Sequence, residues 1–152
     1  MKRVFIDIET IPTTSPEEMA DIAAKVIAEN AALKKPHDAD EVKRRVDEAH
    51  RKTSLDGASG GIVVIAAAVE DGPVVSWQRP AGVDDNEGEA TTLRTFRDDI
   101  GKLLNGETGL LIGHNALGFD RPFLRHRSIV SGAWLPAWMT AALKPWDAVD
   151  VD

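Results

Sequence analysis

The chain has 152 residues, enough for one domain with a core of its own, and its 43% apolar and 28% charged residues are a globular balance. No apolar run is long enough to span a membrane, no signal-peptide pattern opens the chain, and the absence of cysteine excludes disulfides and thiolate metal sites, so the cytoplasm is the expected compartment. A net charge of −7 excludes a general nucleic-acid coat, whose affinity comes from neutralising phosphates, but not an enzyme that grips a few nucleotides through bound cations.

Residues 3–8 (RVFIDI) read as a buried strand. TIPTTSP breaks it, and SPEE starts a helix: Ser15 as N-cap, Pro16 at the first helical position, Glu18 closing a capping box. Met19, Ile22, Ala23, Val26 and Ile27 follow at helical spacing. A second, charged helix is predicted over residues 39–53, capped by Asp38. Its apolar stripe (Ala39, Val42, Val46, Ala49) is thin, so this helical insert buries little. The Lys34-Lys35 and Lys43-Arg44-Arg45 clusters read as a solvated face, with contact to a substrate strand as the alternative.

After the flexible DGASGG loop, IVVIAAAV (62–69) is a second strand, and EDGP turns the chain into its hairpin partner VVSWQ (74–78). DDNEGE opens a helix of about 16 residues whose core face is Leu93, Phe96, Ile100, Leu103 and Leu104. LLIG (110–113) is a short buried strand. HNALGFDRPFLRHRSIVSG is a loop running into a helix that stops near Gly132, WLPAWM is irregular, and WDAVDVD begins another strand. A hairpin meander followed by βαβ crossovers predicts an α/β fold: a mixed sheet with helices on its faces and the first strand central.

Alternation along VFIDIET puts Asp7 and Glu9 on one face, about 7 Å apart, and Val4, Ile6 and Ile8 on the other. Like charges this close oppose joint ionisation. A hard divalent cation resolves the conflict, because it takes one or two carboxylates together with waters and substrate phosphates. The alternative is a strand face open to water, on which both acids are simply solvated. GHNALGFD follows a strand directly, so His114 and Asn115 stand at a strand end, where the sites of open α/β sheets collect. Asp120 falls in the first turn of the next helix, where it either complements the helix N-terminus or turns back toward the sheet. His114 alone reads first as a hydrogen-bonded structural histidine and second as a ligand.

FIDIETIP followed by HNALGFDRPFLRHR resembles the first two motifs of the DEDD (DnaQ-like) 3′–5′ exonuclease superfamily, nearest to the exonuclease domains of family B DNA polymerases and their phage relatives. HRKTSLDGASGGIVVIAAAV is similar to the insert-then-second-strand passage of the phage-type enzymes, and the resemblance runs from Arg3 to about Asp152. It implies a ribonuclease H-like domain over 1–152: a mixed five-stranded sheet flanked by helices, a helical insert at about 15–56, and the C-terminal part of the fold missing. It implies hydrolysis of phosphodiester bonds at single-stranded DNA 3′ ends with two Mg²⁺ or Mn²⁺ ions, one activating a water and both clamping the developing charge.

By the same resemblance, Asp7, Glu9 and Asp120 would be catalytic metal ligands. Thr10 and Ile11 would meet the terminal nucleotide, His114 and Asn115 would orient the loop or touch substrate, and Phe119 would be core or a base-stacking neighbour. Arg121, Arg125 and Arg127 would face phosphates or solvent. The family's third motif, a Tyr or His four residues before a final Asp, has no counterpart: tyrosine is absent, and Asp150 matches instead a strand aspartate that precedes that motif. Asp147 and Asp152 are candidates to replace the fourth ligand. The expectation is thus an exonuclease or, alternatively, a degenerate ribonuclease H-like module that binds nucleic acid or a protein partner. Trp134, Trp138 and Trp146 near an exposed C-terminal edge would favour self-association.

Overall fold

In the computed structural model, which describes residues 1–83 and 85–141, four strands form one mixed sheet flanked by helices. β1 is Lys2–Ile11, β2 Gly61–Val69, β3 Val75–Gln78 and β4 Gly109–Ile112. The helices are α1 (Pro16–Ala31), α2 (Ala39–Lys52), α3 (Asp85–Leu104), α4 (Asp120–Val130) and the single turn α5 (Ala137–Thr140). The strand order is β3-β2-β1-β4, so β1 is interior, as its sequence suggests. β1 runs antiparallel to β2 and parallel to β4, and β2–β3 is an antiparallel hairpin. WDAVDVD, with Trp146, Asp147, Asp150 and Asp152, lies outside the described residues, as does the fifth strand expected there. No helix among the described residues is long and apolar enough to cross a membrane.

Alternation decides the layers. Val4, Ile6 and Ile8 of β1 and Ile62, Ile65 and Ala67 of β2 face the core. α3 lays Ala90, Leu93, Phe96, Ile100 and Leu104 against them, and α4 adds Phe123 and Leu124. Leu103, expected in this face, is 45% exposed instead: the stripe 93-96-100-104 leaves position 103 off the axis of burial. Trp77 of β3 packs edge-on to Phe96 at 5.0 Å between centroids. Trp138 packs against the core beside Gly109, whereas Trp134 is exposed. Asn105 and Gly106, both at positive φ, end α3, and Gly132 does the same beyond α4.

α1 and α2 pair with each other away from this core. Val26 is the only buried residue of α1 and α2 has none, so the thin apolar stripe has the consequence its sequence predicts. Both caps form: Ser15 Oγ accepts from Glu18 N and Asp38 Oδ1 from Glu41 N. The capping box closes differently from the expectation. Glu18 accepts from Thr13 Oγ1 at 2.6 Å rather than from the cap N–H, and Ser15 N donates to Thr13 Oγ1. Thr13 is buried, so the box is bridged through a fixed hydroxyl.

Candidate active site

On the opposite face of β1 stand Phe5, Asp7 and Glu9, all exposed. Their partners across the ladder are Ala68, Ala66 and Val64 on β2, all half-buried. On the other flank Phe5 pairs with Ile112 of β4. The two carboxylates therefore rise from an interior strand over small neighbours, on a sheet face left open to solvent. Arg3, at the same face, lies 5.8 Å from the Phe5 ring centroid and pairs with Glu70.

The β1–β2 ladder shifts register between Glu9 and Thr10: Glu9 pairs with Val64 and Thr10 with Ile62, so Val63 is extra. A bulge of this kind re-aims the side chains beside it. Beyond it Thr10 turns inward, and its hydroxyl donates to Ser54 O at 2.7 Å in the 3₁₀ turn Thr53–Leu55. The Thr10 side chain is thus used to hold the insert. Ile11 lines a cleft of about 440 Å³ with Thr13, Glu18, Arg79, Asp85 and Glu89. That cleft adjoins the end of β1, not Asp7 or Glu9. It carries both signs of charge, with Arg79 paired to Asp85 at 3.5 Å.

The second motif begins where β4 ends. A Cβ on Gly113 would meet Ile6 O at 2.7 Å, so the chain leaves the sheet in contact with the residue before Asp7. Asn115 is at φ 57°, and its carbonyl accepts from the N–H groups of Gly118 and Phe119. Its side chain lies over Gly118, where an added Cβ would come within 2.3 Å of Asn115 Oδ1 and displace the Asn115 amide. Asn115 shapes the loop, and His114 beside it is exposed. Phe119 is half-buried and packs against the core, its ring 5.4 Å from that of Phe123.

Asp120 opens α4 and is 3% exposed. Among the described residues no three His, Asp or Glu side chains gather as a group able to hold a metal ion. Asp7 and Glu9 are brought together on one face, while Asp120 is buried at the helix start. Two exposed carboxylates fit a cation of the Mg²⁺ kind, which keeps several waters and takes substrate phosphates as further ligands.

Two of the three arginines of α4 depart from the expected phosphate or solvent positions. Arg121 and Arg127 are buried and only Arg125 is exposed. Arg127 falls at the spacing of Phe123 and Leu124, on the core stripe, and meets Glu89 of α3. Sequence reasoning passed over Glu89, although its place four residues before Leu93 on the same stripe marks it as a buried acid in need of a partner. It also passed over the anchorage of the strand end: Thr13 N donates to Thr53 Oγ1 at 2.8 Å, and His50 Nε2 lies 2.9 Å from Thr13 O. Comparison with protein-family models, with curated proteins and with solved structures finds no match to this chain.

Proposed function

We propose that this chain is a ribonuclease H-like module of the DEDD type, a metal-dependent 3′–5′ exonuclease acting on single-stranded DNA ends. The observation that carries the reading is the pair Asp7 and Glu9, exposed together on one face of an interior strand whose other face sets Val4, Ile6 and Ile8 into the core. A three-strand antiparallel meander followed by a parallel fourth strand supports the fold reading, and the five-stranded sheet is part of the proposal.

In this reading Asp7 and Glu9 would hold a Mg²⁺ or Mn²⁺ ion, with Asp120, in the second motif at the start of α4, as the further ligand that the resemblance implies. The bound cation would supply a water acidic enough to attack a phosphodiester and positive charge for the phosphate. The chain's own part is to orient. The 113–119 loop, shaped by Asn115 and Gly118, brings His114 to the strand end, and the Thr10–Ser54 bond fixes the backbone just past Glu9.

A second reading, a non-catalytic module that binds nucleic acid or a protein partner, draws on the burial of Asp120 away from an acid cluster. The experiment is a nuclease assay on 5′-labelled single-stranded DNA with Mn²⁺, native chain against Asp7→Ala. A ladder of shortened products that vanishes in the variant supports the exonuclease. No cleavage, with DNA still bound, supports the second reading.

A further inference from the structure

The Glu89–Arg127 pair lies deep in the protein. Their side chains are 1% and 6% exposed. Arg127 Nε donates to both Glu89 oxygens, at 2.9 and 3.0 Å, and Nη2 donates to Oε2 as well. Glu89 Oε1 also accepts from Ile62 N at 2.7 Å. Ile62 is the β2 residue paired with Thr10, immediately past the bulge that faces Glu9. Arg127 reaches Gly57 O at 3.4 Å with Nη1. There the loop presses on α4 so closely that a Cβ on Gly57 would come within 2.9 Å of His126 Cβ and 3.0 Å of Phe123 Cα.

One ion pair therefore joins four parts: α3, α4, the loop before β2, and the bulged end of β2. A buried pair is a poor route to stability, since well-packed apolar residues often do as well, but its geometry is specific. The bidentate fork fixes direction as well as distance. In the structure the fork ties α4 to α3, and α4 begins at Asp120.

We infer that Glu89 and Arg127 are positioning residues, which lock α4, and with it Asp120, in a fixed relation to the bulge beside Glu9. The inference rests on the exonuclease reading for its functional consequence, not for its geometry. The double variant Glu89→Gln/Arg127→Met separates the two ties. The glutamine side-chain carbonyl would still accept from Ile62 N, while the uncharged methionine would no longer direct α4.

The test compares the native full chain, the double variant, Arg127→Lys and Asp7→Ala by Mn²⁺ titration and by amide hydrogen exchange. In the folded double variant we expect Mn²⁺ affinity to fall about tenfold or more. The Arg121 and Phe123 amides should exchange faster while the Ile62 amide keeps its protection. Arg127→Lys, which keeps the charge and loses the fork, should fall between the native chain and the double variant, and it carries the test if the double variant does not fold. Unchanged exchange in the first turn of α4 overturns the inference, and faster exchange with unchanged Mn²⁺ affinity overturns its functional consequence. If the native chain binds no more Mn²⁺ than Asp7→Ala, the exonuclease reading falls. Exchange at Arg121 and Phe123 then decides the positioning role by itself, faster exchange supporting it and unchanged exchange overturning it.

Discussion

On one face of the sheet Val4, Ile6 and Ile8 meet Leu93, Phe96, Phe123 and Leu124; on the other face of the same strand Phe5, Asp7 and Glu9 meet water. The two faces share a backbone, a register and a set of neighbours, yet they treat charge in opposite ways. The covered side admits an acid, Glu89, only with a fork of donors from Arg127 and a backbone N–H from Ile62. The open side carries two acids next to one another. Where water is excluded, a carboxylate needs a built partner; where water enters, like charges can stand close because each is hydrated. Stability belongs to the first face and the candidate chemistry to the second.

That division can be broken first on the covered side. Phe96→Ala removes a fully buried ring packed edge-on to Trp77 and should cost about 3–5 kcal/mol in urea unfolding. Arg127→Ala leaves Glu89 buried without its fork and should cost a similar ~3–5 kcal/mol. A loss well below about 1 kcal/mol for either, by the same measurement, would mean that the face is less tightly packed than its burial indicates.

The exposed cap of the insert sits between the extremes. Asp38→Ala deletes the bond to Glu41 N and should lower stability by about 1 kcal/mol, seen most clearly as faster amide exchange in α2. On the open face, Asp7→Ala should change unfolding free energy by no more than about 0.5 kcal/mol while abolishing Mn²⁺-dependent cleavage. A large loss of stability there would make Asp7 a structural residue and erase the contrast between the faces.

The smallest effect is a pH dependence at the rim. Arg3 donates its backbone N–H and its guanidinium to Glu70, and these bonds hold the Glu70 carboxyl below the ordinary glutamate range. The unfolded chain thus takes up this proton more readily than the folded one. The stabilisation is complete above the ordinary glutamate pKa and is lost as pH falls through the lowered one. Glu70→Gln should therefore flatten the fall of melting temperature between about pH 5 and about pH 3. An unchanged slope would mean that the bond is equally made in the unfolded chain.

Local chemistry alone determined much of this protein. Ser15 and Asp38 as caps, the turn before VSWQ, the stop near Gly132 and the alternation of β1 all depend on neighbours a few residues away, and the structure contains each of them. Asp7 and Glu9 fall on one face because a strand has a period of two, whatever surrounds it. Tertiary structure decided what no local rule contains. It turned Thr10 to the insert, 44 residues along the chain. It also buried Arg127 against Glu89, 38 residues away in the chain. The physical reason is that burial belongs to a pair of surfaces, not to a residue. An arginine on a helix stripe is solvated or locked according to what the facing element offers, and a single carboxylate on α3 made that choice here.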